Sequence, residues 1–442
     1  NMRRYSVCLL SIVCVLIATW CRADDWPQFR GSNRDGKSAE TDLLQKWPQS
    51  GPRLLWSVDG LGDGYSSAAI ADGLVYTTGK IADDGYLFCF DLDGKPEWKI
   101  RYGPEWTRSY PAARTTPTID SGRAYLFSGM GVAYCFDAKT GQPVWSRDVF
   151  KQFDGQYPRW GMSECLLVDG DRVIATPGGE KASIVALDKN DGRVIWACTE
   201  LTEPSAYGNP IAVEYKGSRM IVQMLRDSVV AVEARTGRLL WREPLDDYHI
   251  DRKRQVNPNV PLYHDGEIFT TSGYNNGGAM VQIFADPTKV VRKYVHRDLD
   301  VHHGGVVLID GYIYGANFTS YTRGNWVCMD WDTGKVMYET PLTGNKGSTI
   351  YADGMLYCYE ENKGTLAIAP ATPDRFEPVS SFTITAGSGK HWAHPSISDG
   401  RLYIRHGQYM MAYDISADGQ EAIAHVPPII RNGRKSRYST SN

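Results

Sequence analysis

The hydrophobic and polar positions follow one short pattern, clearest at Val132–Trp145. An apolar and aromatic run, VAYCF, is followed by a polar turn around Asp137 and Gly141 and then by a second run that ends in Trp145. The first run suits a buried strand, and a glycine in the turn suits a tight hairpin. A single hairpin cannot bury both of its faces, so the pattern requires neighbouring copies.

The neighbouring copies are present. The pattern recurs, with small variations, at 90–98, 187–196, 233–241, 286–294 and 330–338. A turn dipeptide followed by a strand-like run occurs eight times, at intervals of 43 to 49 residues, at 72–73, 121–122, 169–170, 216–217, 265–266, 310–311, 353–354 and 399–400. Eight copies at this period predict an all-β fold, an eight-bladed β-propeller of four-stranded antiparallel blades.

The two ends of the repeat region complement each other. Arg53–Val58 matches only the last part of the pattern, whereas the final repeat, Trp392–Ile415, contains three candidate strands and then stops. We expect the strand around Trp56 to be the outer strand of the last blade, so that the front of the propeller closes onto its back. The propeller is then predicted over residues 53–416.

The segments outside the repeats carry their own signals. A basic start, an apolar run and small residues before Asp24 predict a signal peptide at residues 2–23, and therefore a periplasmic or secreted protein with no transmembrane span in the mature chain. Lipidation at Cys21 stays open. Residues 24–52 are expected to lie across the propeller as an ordered arm anchored by Trp26 and Phe29. Residues 417–442 are expected to form a flexible tail.

Charge and cysteine content narrow the function classes. The formal net charge is −3, which gives no global attraction for nucleic acid or anionic membranes. Cys89, Cys135 and Cys328 occupy the same position in three repeats, and equivalent sites on different blades are too far apart to form disulfides. These cysteines are expected to be free core residues.

The repeat resembles the pyrroloquinoline-quinone (PQQ) type of propeller repeat, whose D-x-x-T-G-x-x-x-W phrase is matched in full by Asp137, Thr140, Gly141 and Trp145. The resemblance covers roughly residues 53–416, and the leader WPQFRGSNRDG resembles that of secreted bacterial members. The family includes quinoprotein dehydrogenases and non-catalytic, BamB-like propellers that serve as scaffolds in outer-membrane protein assembly. Fold alone does not choose between these two branches.

The inner strand of each blade begins at one mouth of the central channel, so the segments before the eight turn dipeptides are expected to line one funnel. This register is rich in polar and aromatic groups and suits a small polar ligand or a peptide. The candidate ligand-binding residues are Tyr65, Arg114, Trp160, Glu164, Asn209, Asn257, His302, His303, Lys346, His391 and Trp392.

A quinoprotein would need PQQ and Ca²⁺. Trp160 or Trp392 could stack on the quinone, Arg114 or Lys346 could pair with its carboxylates, and Glu164 with Asn209 could offer oxygen ligands to calcium. The adjacent cysteine pair of many family dehydrogenases has no counterpart, and the propeller region is short for a cofactor-covering enzyme. No cofactor is therefore predicted, and PQQ with Ca²⁺ is the alternative.

One dense cluster of potential metal ligands is present, at His296, Asp298, Asp300, His302 and His303. In a strand the last two side chains would point to opposite faces, so no metal is predicted. We predict a non-catalytic, monomeric scaffold that binds a protein partner or a small polar ligand. The alternatives are a PQQ-dependent oxidoreductase and a carbohydrate-binding propeller that would use the aromatic rim, Tyr65, Trp160 and Trp392.

Overall fold

The computed structural model describes residues 25–246, 248–249 and 256–418. The predicted signal peptide, Cys21 and residues 419–442 of the predicted tail lie outside the described residues. In the described part, eight sheets of four antiparallel strands confirm the predicted eight-bladed propeller. Apart from the strands, these ranges contain one helix of five residues, far shorter than the roughly 20 residues of a membrane-spanning helix.

The first strand, β1 (Arg53–Val58), belongs to the last blade. Blades one and two follow as β2 (Ala69–Ala71), β3 (Leu74–Ile81), β4 (Asp84–Asp91) and β5 (Pro96–Pro104), then β6 (Thr118–Asp120), β7 (Arg123–Phe127), β8 (Val132–Asp137) and β9 (Pro143–Asp148). After α1 (Val149–Phe153), blade three contains β10 (Leu167–Asp169), β11 (Arg172–Ala175), β12 (Val185–Asp188) and β13 (Val194–Ala197).

Blades four and five contain β14 (Ile211–Tyr215), β15 (Ser218–Met224), β16 (Ser228–Glu233) and β17 (Leu239–Pro244), then β18 (Leu262–His264), β19 (Glu267–Phe269), β20 (Gly278–Ile283) and β21 (Val290–His296). Blade six contains β22 (Val306–Ile309), β23 (Tyr312–Ala316), β24 (Trp326–Asp330) and β25 (Val336–Thr340). Blades seven and eight contain β26 (Gly347–Ala352), β27 (Met355–Glu360), β28 (Thr365–Pro370) and β29 (Ser380–Thr383), then β30 (Ser396–Ser398), β31 (Arg401–His406) and β32 (Tyr409–Asp414).

The ring closes as predicted. Strand β1 pairs antiparallel with β32, with Arg53 opposite Asp414 and Leu54 opposite Tyr413. An ion pair of 2.6 Å between Arg53 Nη2 and the carboxylate of Asp414 joins the ends of the two strands. The outer edge of β32 is thereby covered by the front of the propeller, so the last blade has the same four strands as the others.

The repeated turn glycine and tryptophan together form the contact between neighbouring blades. The indole of Trp56 lies over Gly94 of the first blade, and its Nε1 donates to Leu92 O at 2.7 Å. A Cβ at Gly94 would approach the indole to 2.6 Å. The same arrangement joins later blades through Trp98 and Gly141, Trp145 and Gly192, and Trp196 and Gly237. The core lies between the blades, and the six described cysteines are all free and buried in it.

Candidate functional site

The arm before β1 runs along the end of the channel at which the inner strands finish. Trp26 pairs with Ile70 of β2 through two backbone hydrogen bonds of 2.9 Å, and Ser38 N donates to Tyr351 O of β26. Further along, Leu44 N donates to Ile415 O at 2.8 Å. Ile70 and Tyr351 belong to inner strands and Ile415 follows β32, so the arm satisfies polar groups that blade pairing leaves free.

Two buried arginines of the arm bind backbone carbonyls on different sides of the channel. Arg30 donates to Val306 O at 2.6 Å and to Thr349 O at 3.0 Å, which joins the arm to blades six and seven. Its Nη1 also lies 3.2 Å from Nδ1 of His394, just before blade eight. Burial lowers the pKa of Arg30 to about 10, so the side chain stays a cation at neutral pH.

Arg34 reaches the other side of the channel. It donates to Cys165 O at 2.9 Å and to Pro210 O at 3.1 Å, which are in blades three and four, and it also contacts Leu166 O. Together the two arginines connect segments on opposite sides of the ring. The arm therefore enters the channel from this end, and its two arginines form a floor near the starts of the inner strands, beneath the other mouth.

The opposite mouth is the funnel that the sequence predicts, and we use that name for the side chains at the starts of the inner strands. Trp392 is the centre of one half. Its ring centroid lies 4.9 Å from that of Tyr65, 5.3 Å from Tyr110 and 5.2 Å from His303. The three rings meet the indole at tilted or edge-on angles, and Trp392 is half-buried.

The other half of the funnel wall is also aromatic. Trp160 packs on Tyr207, with ring centroids 5.7 Å apart, and both pack against a buried cluster of Val256, Tyr274 and Phe318. The hydroxyl of Tyr207 accepts a hydrogen bond from Trp160 N at 3.1 Å. This contact fixes two neighbouring inner-strand segments relative to each other.

Histidine and lysine side chains connect the two halves. The rings of His302 and His303 lie side by side, 4.3 Å apart, and His302 is 4.6 Å from Tyr274. Lys346 forms a buried ion pair with Glu361 and donates to Tyr321 O at 2.7 Å. Burial is the main cause of the lowered pKa of both histidines, and the charge of Lys346 lowers these pKa values further.

The two histidines do not point to opposite faces as expected. That expectation assumed a strand, and residues 302–304 form a bend. The rest of the cluster does not assemble around them. His296 is buried on Phe269, where its Nε2 contacts Thr270 O at 3.0 Å, and Asp300 accepts hydrogen bonds from backbone N–H groups at Asn275 and Gly277.

Four of the predicted site residues lie below or beside the funnel, in contacts within and between blades. Glu164 is buried and accepts from Thr176 N and Gln223 Nε2. Asn209 accepts from Cys165 N, and Asn257 donates to Leu225 O at 2.6 Å. His391 is stacked on His406 with ring centroids 3.6 Å apart, and its Nδ1 contacts the hydroxyl of Tyr359.

Arg114 stays at the funnel edge, but its guanidinium is turned to the backbone. It donates to Ser109 O at 3.2 Å and to Ala112 O at 3.4 Å, which fixes the loop that carries Tyr110. Burial lowers its pKa. The funnel therefore contains Tyr65, Arg114, Trp160, His302, His303, Lys346 and Trp392 of the predicted set.

Other residues of the site were not identified from the sequence. Tyr110, Tyr274, Phe318, Tyr321 and Glu361 come from loops or strand ends outside the register before the turn dipeptides. Arg30 and Arg34 were also missed, because an arginine in a polar leader resembles a solvated residue. Their signal was the pairing of each arginine with a nearby glycine, Arg30 with Gly31 and Arg34 with Gly36, in a short aromatic segment.

The two oxygen ligands considered for calcium, Glu164 and Asn209, do not fit that ion. Both carboxylate oxygens of Glu164 and the amide oxygen of Asn209 are engaged by protein donors below the funnel, so these atoms are not directed at a calcium ion in the funnel. Burial raises the pKa of Glu164 to about 8, which disfavours the anionic form that calcium requires.

Two curated relatives match parts of the chain. The outer membrane protein assembly factor BamB of Yersinia pestis is 20% identical over 279 residues, 60% of this chain and 64% of that protein. The quinoprotein alcohol dehydrogenase PedH of Pseudomonas putida is 24% identical over 168 residues, 35% of this chain and 26% of that protein. The chain thus spans less than two thirds of either relative.

Two solved structures share the fold. BamB from Moraxella catarrhalis superimposes with a TM-score of 0.61 and 14% identity, over 82% of this chain and 99% of that one. A quinohemoprotein alcohol dehydrogenase from Comamonas testosteroni superimposes with a TM-score of 0.63 and 13% identity, over 92% of this chain and 82% of that one. At these identities the likeness concerns the fold alone.

The family model described as "Outer membrane protein assembly factor BamB" matches residues 83–323. That range is more than half of the chain, and it includes the repeats in which the turn glycine and tryptophan join neighbouring blades. The protein therefore belongs to the PQQ-repeat propeller family that this model describes, the BamB-like family.

Proposed function

We propose that this protein is a non-catalytic, periplasmic or secreted scaffold that binds a partner protein through its funnel face. The family supports this function, since its model is described as an assembly factor for outer-membrane proteins. The predicted signal peptide at residues 2–23 supports the location. The observation that carries the proposal is the distribution of exposed aromatic residues, which differs between the two faces of the ring.

Three tyrosines among the described residues are strongly exposed: Tyr110 at 53%, Tyr157 at 41% and Tyr321 at 59%. Each is in a loop on the funnel side, because these loops connect one blade to the next inner strand or join the second and third strands of a blade. The exposed arginines Arg108 and Arg159 lie over the rings of Trp106 and Trp160 in the same loops. Tyrosine, tryptophan and arginine are the side chains that contribute most at protein interfaces.

The closed channel supports a surface role over transport through the ring. Arg30 and Arg34 lie inside the channel beneath the funnel, where they donate to backbone carbonyls at or near the starts of the inner strands. A partner segment could enter from the funnel side only and would meet an aromatic wall with a buried floor. This geometry suits the docking of a loop or chain end of another protein.

The proposal can be tested by site-specific photo-cross-linking in cells that make the protein. A cross-linking amino acid would replace Tyr110 or Tyr321 on the funnel face, and Phe284 is the matched control. Phe284 is 46% exposed but lies after β20, at the opposite end of the blade. We expect a discrete cross-linked product at the first two positions and none at Phe284. Equal products from both faces, or none from the funnel face, would overturn the proposal.

The two alternative functions have separate tests. For the oxidoreductase, titration with PQQ and Ca²⁺ followed by dye-linked alcohol oxidation should give no activity, and turnover would refute a non-catalytic scaffold. For the carbohydrate-binding propeller, the parent protein and Trp392→Ala should give the same result on a glycan array, with no specific binding that depends on Trp392. Specific glycan binding that depends on Trp392 would favour that alternative instead.

A further inference from the structure

The bend before β22 brings three potential metal ligands together across two blades. One ring nitrogen each from His302 and His303 and one carboxylate oxygen of Glu361 lie within 4.8 Å of one another. The histidines precede blade six, and Glu361 follows β27 of blade seven. Their assembly depends on the ring of blades, because 58 residues separate Glu361 from His303 in the sequence.

The backbone holds the two histidines side by side. The side chain of Asn259 donates to Val301 O at 2.6 Å and to His302 O at 3.3 Å, and it accepts from Gly305 N at 3.1 Å. Gly305 has a φ of 68°, which allows the chain to turn back toward β22. The bend is therefore fixed from both sides by one amide, independently of any ligand.

Part of the hydrogen-bonding capacity of this cluster is not used within the protein. Nδ1 of His302 is buried and has no hydrogen-bond partner among the described residues, and Nε2 of His303 is buried and lies 3.3 Å from the carboxylate of Glu361 without forming an aligned hydrogen bond. Buried ring nitrogens normally have a partner, because leaving a polar atom unsatisfied costs about 1–3 kcal/mol. An unsatisfied nitrogen on one ring and a poorly satisfied nitrogen on the next, at one mouth of the channel, indicate that a further group completes their contacts.

The carboxylate is oriented by its own neighbours. One oxygen of Glu361 is paired with Lys346, and the other lies 3.3 Å from Nε2 of His303. Lys346 is fixed in turn by Tyr321 O at 2.7 Å. Ligating carboxylates in metal sites are commonly held in this way by an outer hydrogen-bond donor.

We propose that His302, His303 and Glu361 bind a divalent transition metal, with Zn²⁺ as the best match. Two imidazoles and one carboxylate form a ligand set that zinc uses when a fourth position is left open. Bonds of about 2.0–2.2 Å require ligand atoms closer together than 4.8 Å. Rotation of the two histidine side chains, which are only half-buried, can bring them closer. The proposal departs from the sequence-based expectation of no metal and does not depend on the scaffold function.

The test uses the full chain without a polyhistidine tag, stripped of metal with a chelator and titrated with Co²⁺ and then Zn²⁺. We expect one equivalent of Co²⁺ to give the intense visible bands of low-coordinate cobalt, and Zn²⁺ to displace it. His302→Gln and His303→Gln should each weaken Zn²⁺ binding at least about tenfold, a loss of the size that even outer-shell changes produce. His264→Gln, an exposed histidine outside the cluster, should bind as the parent does.

Both ligand variants leave the Lys346–Glu361 pair in place, and melting in the metal-free state shows whether each is folded. A variant that melts with the parent but loses the cobalt bands supports the site. Binding that survives both substitutions in folded protein, or a weak spectrum typical of six oxygen ligands, would overturn it. Cobalt bands that disappear equally in His264→Gln would also contradict the proposal.

Discussion

The guanidinium of Arg34 donates a hydrogen bond of 2.9 Å to the backbone carbonyl of Cys165, although 131 residues separate the two positions. This contact ties the N-terminal arm to the start of the third blade. With the equivalent contacts of Arg30 on the other side, it crosses the channel with two buried cations that donate mainly to backbone carbonyls.

Replacing either arginine should destabilise the whole propeller. In Arg30→Ala or Arg34→Ala, buried carbonyls lose their donor, and each unsatisfied group costs about 1–3 kcal/mol. Arg30→Lys and Arg34→Lys should retain only part of the parent's stability, because one ammonium cannot replace a forked guanidinium that reaches several carbonyls. Thermal melting is the measurement, with Lys46→Ala, an exposed arm residue, as the control. Unchanged melting in both alanine variants would show that the arm is not a structural closure.

A second prediction concerns the contact between Trp56 and Gly94. Gly94→Ala would place a methyl group 2.6 Å from the indole, and overpacking of this kind costs about 1–3 kcal/mol. Gly73→Ala is a matched control, since both glycines have a φ of 78° and a Cβ at Gly73 meets nothing within 4 Å. We expect Gly94→Ala to lower the free energy of unfolding clearly more than Gly73→Ala in denaturant titrations. If both variants lose the same free energy of unfolding, the loss comes from the backbone conformation and not from the contact with the indole.

Ring closure predicts a strong difference between two truncations. Removing residues 50–58 deletes β1, which leaves β32 as an open edge and takes the indole of Trp56 from the core. Removing residues 425–442 deletes none of the described strands. The first truncation should lower the melting temperature far more than the second, and the first should also aggregate through its exposed edge. Equal melting temperatures would refute closure by β1.

The buried carboxyl group of Glu164 predicts a pH dependence of stability. Burial raises its pKa from 4.5 to about 8, so the folded protein binds this proton more tightly than the unfolded chain. The contribution to stability is complete below about pH 4.5 and is lost as the pH rises to about 8, with a slope of up to about 1.4 kcal/mol per pH unit. Glu164→Gln removes this titration. The melting temperatures of the two proteins should be measured between about pH 5 and pH 8. As the pH rises, the melting temperature of Glu164→Gln should increase relative to that of the parent. A constant difference would contradict the raised pKa.

The repeat made most of the architecture predictable. The spacing of the turn dipeptides, such as Asp72–Gly73, fixed the number of blades, and the incomplete pattern at Arg53–Val58 identified the closing strand. Both are local patterns, since strand alternation and turn chemistry depend on residues close in sequence. The register before each turn also identified real funnel residues, including Tyr65 and Trp392.

The position before each turn dipeptide does not by itself distinguish residues that line the funnel from residues that hold neighbouring strands together. Glu164, Asn209 and His391 occupy the predicted positions, yet their polar atoms are used by neighbouring strands. A one-residue change in register, or a bend in place of a strand, changes where a side chain points. For this reason the sequence suggested opposite directions for His302 and His303, which lie side by side.

What the sequence alone determined is therefore the repeating unit: which residues form strands, where the turns fall and how many blades the chain builds. The tertiary structure decided how distant segments meet. Arg30 finds carbonyls hundreds of residues away, and Glu361 joins two histidines from another blade. The physical reason is that strand and turn preferences are short-range, whereas the closed end of the channel and the histidine cluster exist only once the ring brings its blades together.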